Sequence, residues 1–107
     1  MAPRQFLLFY AAIVSGFLAG SAQARTIEIN MQNVAFAPAD ITAKVGDTVE
    51  WINKDFVAHT ATARDAGWNL VIGVNKSKSV VLKKAGSVDY ICSFHPNMKG
   101  HITIAAE

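Results

Sequence analysis

Past residue 25 the chain is written in alternation rather than in a helical period. Ile27, Ile29 and Met31 fall on one face of an extended segment, with Thr26, Glu28 and Asn30 on the other. Residues 41–45 extend the pattern and stop at Gly46-Asp47, a turn signal. In residues 48–53, Val49 and Trp51 share a face. Val80 and Leu82 do so in 79–83, with Lys83 outward, and Val88, Tyr90 and Cys92 do so in 86–92. Residues 101–105 close the series with Ile102 and Ile104 together. The segment 64–75, carrying Trp68, Leu70 and Val71, fits either a short strand or a packed loop. Short strands punctuated by Gly and Asp turns predict an all-β sandwich.

The first 24 residues follow a different rule. Arg4 precedes a mostly apolar run from Phe6 to Ala19, and Ser21-Ala22-Gln23-Ala24 ends in a small-residue cleavage pattern. The run is short for a bilayer, which takes roughly 20 apolar residues. This pattern predicts a signal peptide over residues 1–24 and a single exported domain over 25–107 in the periplasm. The nine Lys and Arg left after residue 24 nearly balance the eight Asp and Glu. With no basic block or basic-aromatic interleaving, nucleic acid is not an expected partner.

Cysteine usage narrows the chemistry. Cys92 stands alone, so no internal disulfide is available to a small exported domain. A lone thiol outside the cytoplasm calls for burial, an intermolecular partner or a metal. The run Cys92-Ser93-Phe94-His95-Pro96-Asn97-Met98 decides among these, because it places a thiolate, an imidazole and a thioether at intervals of three. Joined by His59 from upstream, they make the ligand set of a blue-copper site: two His and one Cys, with a weak axial Met. Pro96 restricts its own φ and the conformation of His95, stiffening the loop, and Gly100 is expected to release the chain into the last strand. His101 falls opposite Ile102 and Ile104 in the alternation and is expected to face solvent rather than copper.

Lys44 to Asn53, His59, Ala85 to Cys92 and His95-Pro96-Asn97-Met98-Lys99-Gly100 together resemble the small cupredoxins, most closely those of the amicyanin type. The Cys-x2-His-x2-Met spacing is the discriminating part. The resemblance implies a Greek-key β-sandwich of about eight strands with one type 1 copper ion near one end. It also implies electron passage through the edge of His95, within an apolar surface formed with Phe94, Pro96 and Asn97, and with Lys99 close enough to influence docking. Amicyanins typically have Asn directly after the upstream histidine, where this chain has Thr60, whose hydroxyl is expected to bond towards Ser93 and tie the two ligand segments together. Asn53, at the turn before His59, is a further candidate for the surrounding shell. The implied partners are transient redox proteins, a dehydrogenase donor (methylamine dehydrogenase for amicyanins) and a cytochrome acceptor, met by a monomer.

Copper binding for delivery or storage is the alternative function, since it would use the same donors. It is less expected, because only Met31 and Met98 follow the signal and no Met-rich or His-rich tract is present. A copper enzyme is not expected: Cys92 is flanked by Ile91 and Ser93 rather than by a histidine, and three histidines cannot build a second copper centre.

Overall fold

The N-terminal alternation becomes β1 (Thr26–Met31), with Ile29 and Met31 fully buried. It turns back into β2 (Phe36–Ala37), followed by β3 (Asp40–Lys44) and β4 (Thr48–Asn53). The chain continues through β5 (His59–Ala63), β6 (Asn69–Ile72), β7 (Ser77–Val81), β8 (Gly86–Cys92) and β9 (His95–Ala105). This computed structural model describes residues 23–106; the predicted signal peptide lies outside the described residues except for its last two positions. The strands form two sheets, ordered β2-β1-β4-β7 and β3-β9-β8-β5-β6, with β1 parallel to β4 and β3 parallel to β9. This is the expected all-β sandwich, with nine strands against about eight; β2 is only two residues long.

Three strands depart from the sequence pattern for physical reasons. β5 carries only a weak alternation, Ala61 and Ala63 against the small Thr60 and Thr62, and lies between β8 and β6 with His59, Thr60, Ala61 and Ala63 all buried. A strand covered on both faces loses the period-two signal. β7 begins two residues before the predicted segment, and Lys78 occupies a position opposite the buried Trp51 on this edge strand. A lysine there leaves the edge a poor template for another chain. β9 begins at His95 rather than near residue 101, so Gly100 lies inside the strand instead of releasing the chain into it.

The core joins Ile29, Met31, Val49, Trp51, Ile72, Tyr90, Cys92, Met98 and Ile102 across the two sheets. Its centre is aromatic: Tyr90 meets Phe36 edge-on at 4.6 Å and Trp51 at 5.4 Å, and Trp51 lies 5.0 Å from Trp68. At the other end of β4 the turn before Thr48 uses Gly46 at φ +100, a conformation that favours glycine. Asp47, 1% exposed, fastens this turn by accepting bonds from the backbone N–H groups of Arg25 (3.0 Å) and Lys44 (2.9 Å). Those amides hold its carboxyl below the ordinary value of 3.8. A carboxyl depressed in the folded state contributes stability above its unfolded pKa and loses it as pH falls through the folded value. The denaturant midpoint is therefore expected to fall as pH drops below about 4, and less steeply in Asp47→Asn; titrating both proteins from pH 7 to 3 checks this.

Candidate metal centre

Four connections gather at one end of the sandwich: β1–β2, β4–β5, β6–β7 and β8–β9. This follows from β1 running parallel to β4, and from the pairing of His59 with Ile72, Ile52 with Ser77, and Cys92 with His95. Cys92 reaches this end because it shares the inward register of β8 with the buried Tyr90. Only Ser93 and Phe94 separate β8 from β9. The register then breaks, with Ile91 opposite Lys99 but Cys92 opposite His95. Residues 96–98 are thus the surplus of a bulge, the device by which a strand re-aims its side chains. Met98 is 2% exposed and joins the core cluster that contains Cys92.

His59, the first residue of β5, is fully buried, whereas His95 is half-buried. The donor atoms of His59, Cys92 and His95 all lie within 4.8 Å of one another. Cys92 Sγ is 3.7 Å from the Nδ1 of each histidine, and the two rings are 5.1 Å apart between centroids. Metal–nitrogen and metal–sulfur bonds of roughly 2.0 and 2.3 Å, opened to a trigonal angle, would separate the donors by about this distance. The residues therefore fit a trigonal metal, and a His2Cys plane with a thioether available is the donor set of type 1 copper.

The surroundings predicted for the site are also brought together. Ser93 N donates to Thr60 Oγ1 at 2.7 Å and the two hydroxyls are 3.1 Å apart, while Thr60 N donates to Cys92 Sγ at 3.2 Å. Thr60 thus ties the upstream ligand strand to the ligand loop. Asn53, 1% exposed, donates through Nδ2 to the carbonyls of Val57 (2.9 Å) and Ile72 (3.0 Å), and its Oδ1 accepts from Asp55 N at 2.9 Å. It pins the loop that delivers His59. His101 stands apart, half-exposed and 2.7 Å from Asp89 Oδ1.

Sequence reasoning missed two features of this end. Asp55 Oδ2 lies 2.7 Å from His59 Nε2. Desolvation pushes its carboxyl upward, but bonds from Val34 N, His59 and Asn33 N together hold it below the usual value of 3.8. A carboxylate four residues before a candidate metal-binding histidine was the available signal. The second is the extent of the apolar surface expected around Phe94: with Phe94 exposed, Phe56 is 95% exposed, and Val34, Val57 and Val74 are also exposed. All five lie on the four connections at the metal end, while Val71 and Val81, the other exposed large apolar residues among the described residues, sit on strands. Large apolar side chains in the Asn53–His59 loop were the corresponding signal.

Fold and donor set together define a cupredoxin, and a family model for the cupredoxin-like domain matches residues 5–104. The chain belongs to that family, and within it is amicyanin-like. It is 29% identical over 96 residues to amicyanin from Paracoccus denitrificans, covering 84% of this chain and 73% of that protein. Identity to amicyanin from Paracoccus versutus is 24% over 92 residues, covering 80% and 70%. A solved Cu(I) form of an amicyanin variant superposes with a TM-score of 0.68 at 27% identity, covering 80% of this chain and 87% of that one. The protein is a blue copper electron-transfer protein with copper as its cofactor.

Proposed function

We propose that His59, Cys92 and His95 would hold copper, with Met98 as a weaker donor that tunes it, and that the chain shuttles single electrons between transient redox partners in the periplasm. Copper, when bound, carries the electron by alternating between Cu(II) and Cu(I). The observation that carries this reading is the 3.7 Å spacing of Cys92 Sγ from both histidine Nδ1 atoms. The protein's own part is to keep those donors still, so that little rearranges when the charge changes. Thr60 and Asn53 hold the two ligand segments through short hydrogen bonds. Delivery or storage is less well supported, because an acceptor must reach the donors, and Cys92 and His59 are fully buried.

The half-buried His95 offers the route for the electron, ringed by exposed Phe94, Pro96 and Asn97 and with Lys99 exposed nearby. Phe56, Val34, Val57 and Val74 widen the apolar face at the same end. Such a face suits a small, short-lived contact, as electron-transfer complexes typically bury under about 1,200 Å². A dehydrogenase donor and a cytochrome acceptor are the partners the amicyanin likeness favours. The export pattern of residues 1–24 supports the periplasmic assignment, with residues 25–107 as the mature monomeric domain.

Copper(II) titration of the copper-free protein tests this reading. An intense blue band reaching its limit at one equivalent and bleached by a mild reductant is the expected result; a colourless complex would overturn it. Met98→Leu is expected to keep the blue colour and raise the reduction potential, because the axial donor tunes the site without forming it. Voltammetry of the two proteins checks this, and an unchanged potential would remove Met98 from the ligand set.

A further inference from the structure

Asp55 makes more bonds than a loop carboxylate requires. Its Oδ1 accepts from Asn33 N at 2.6 Å, and its Oδ2 accepts from Val34 N at 2.9 Å while lying 2.7 Å from His59 Nε2. Asn33 and Val34 are the two central residues of the β1–β2 turn, closed by Gln32 N to Ala35 O (3.0 Å) and Ala35 N to Gln32 O (3.2 Å). Both have positive φ, 57° and 56°. Asparagine tolerates that conformation, but a β-branched valine does so at a cost. Packing does not explain it, since Val34 is 46% exposed. Two successive amides in this conformation form a concave anion site, and the Asp55 carboxylate fills it.

An ionised carboxylate only accepts hydrogen bonds, so the His59 nitrogen facing it must carry the proton. In the neutral ring that binds a metal the other nitrogen, Nδ1, then offers its lone pair, and Nδ1 is the atom 3.7 Å from Cys92 Sγ. Among the described residues, no other charged side chain bonds to His59. We infer that Asp55 is a positioning residue: it sets the tautomer and orientation of His59 for copper, and the amides of Asn33 and Val34 hold it in place. This rests on His59 being a copper ligand. One carboxylate then ties the copper ligand to a turn on the exposed apolar face, which gives the strained Val34 conformation a role.

The test compares the parent protein, Asp55→Asn, Val34→Gly and the double variant by copper affinity, reduction potential and melting of the copper-free forms. The Asn amide offers His59 no charged acceptor. Copper(II) affinity is therefore expected to fall about 10–100-fold, as for other groups that orient metal ligands. Copper(I) gains less from a more basic imidazole, so the potential rises, by about 59 mV for each tenfold difference between the two states. Copper-free Asp55→Asn is expected to melt lower, and adding Val34→Gly, which relieves the strained turn, to restore melting but not the potential. An Asp55→Asn potential equal to the parent's would overturn the inference, as would a double variant that recovers the parent potential. A parent protein without the blue band would instead overturn the copper reading itself.

Discussion

Cys92→Ser is expected to abolish the blue colour entirely while leaving the fold in place. The colour depends on a sulfur donor, and Cys92 is the only cysteine in the chain, so no other thiolate can take its place. Serine is nearly isosteric, and its oxygen can still accept the bond that Thr60 N donates to Cys92 Sγ at 3.2 Å. A buried hydroxyl that keeps such a bond costs about 1 kcal/mol, a shift of roughly 4–8 °C for a domain of this size. The loss in copper(II) affinity should exceed the roughly 10–100-fold cost of changing an outer-shell partner, because a ligand itself is removed. Absorption spectra during copper titration, together with melts of the copper-free proteins, separate the two effects. A persisting intense blue band would show that Cys92 is not the sulfur donor.

Gly100→Ala is expected to cost the fold substantial stability, because among the described glycines a Cβ at Gly100 meets its neighbour most closely. Gly100 is buried opposite Tyr90 across β8 and β9, and a Cβ there would overlap the Tyr90 ring. That ring cannot step aside: it is fully buried and packed against Phe36, Trp51 and Trp68. Burial also pushes its phenol up to about 12, so the ring remains neutral and does not escape to solvent by ionising. Overpacking of this kind costs about 1–3 kcal/mol, or roughly 4–8 °C of melting temperature for each kcal/mol. Gly100→Val, which adds two further carbons against the same ring, should cost more, a large share of a total stability of about 5–15 kcal/mol. Thermal melts check the order parent, Gly100→Ala, Gly100→Val. Tyr90→Leu should partly rescue Gly100→Ala by vacating the space. A Gly100→Ala protein melting with the parent would refute the steric argument.

The position of Gly100 also shows where sequence reasoning stopped. Read along the chain, a glycine after His95-Pro96-Asn97-Met98 looks like the exit from a loop. In the fold it lies within β9 and makes room for an aromatic ring on the neighbouring strand, a contact across ten positions of sequence. β5 was hidden for a related reason. His59-Thr60-Ala61-Thr62-Ala63 alternates only between small residues, a weak signal, and four of the five are buried, a burial that exists only after folding.

What the sequence determined by itself was the local chemistry and the half-buried strands. Period-two alternation marked β1, β3, β4 and β8, because one face of each meets the core. The spacing of Cys92, His95 and Met98 limited the metal to one matching that donor set. Thr60 and Ser93 were also legible, through the likeness to known copper proteins. Only the tertiary structure decided which partners those residues meet. It set Asp55 against His59, and the Asn33-Val34 amides against Asp55, over 21 and 22 positions of sequence. It also gathered Val34, Phe56, Val57, Val74 and Phe94 at one end from four separate connections. Donor type is a property of each residue; distance, burial and a shared hydrogen bond are properties of strands that come together only when two sheets close on a common core.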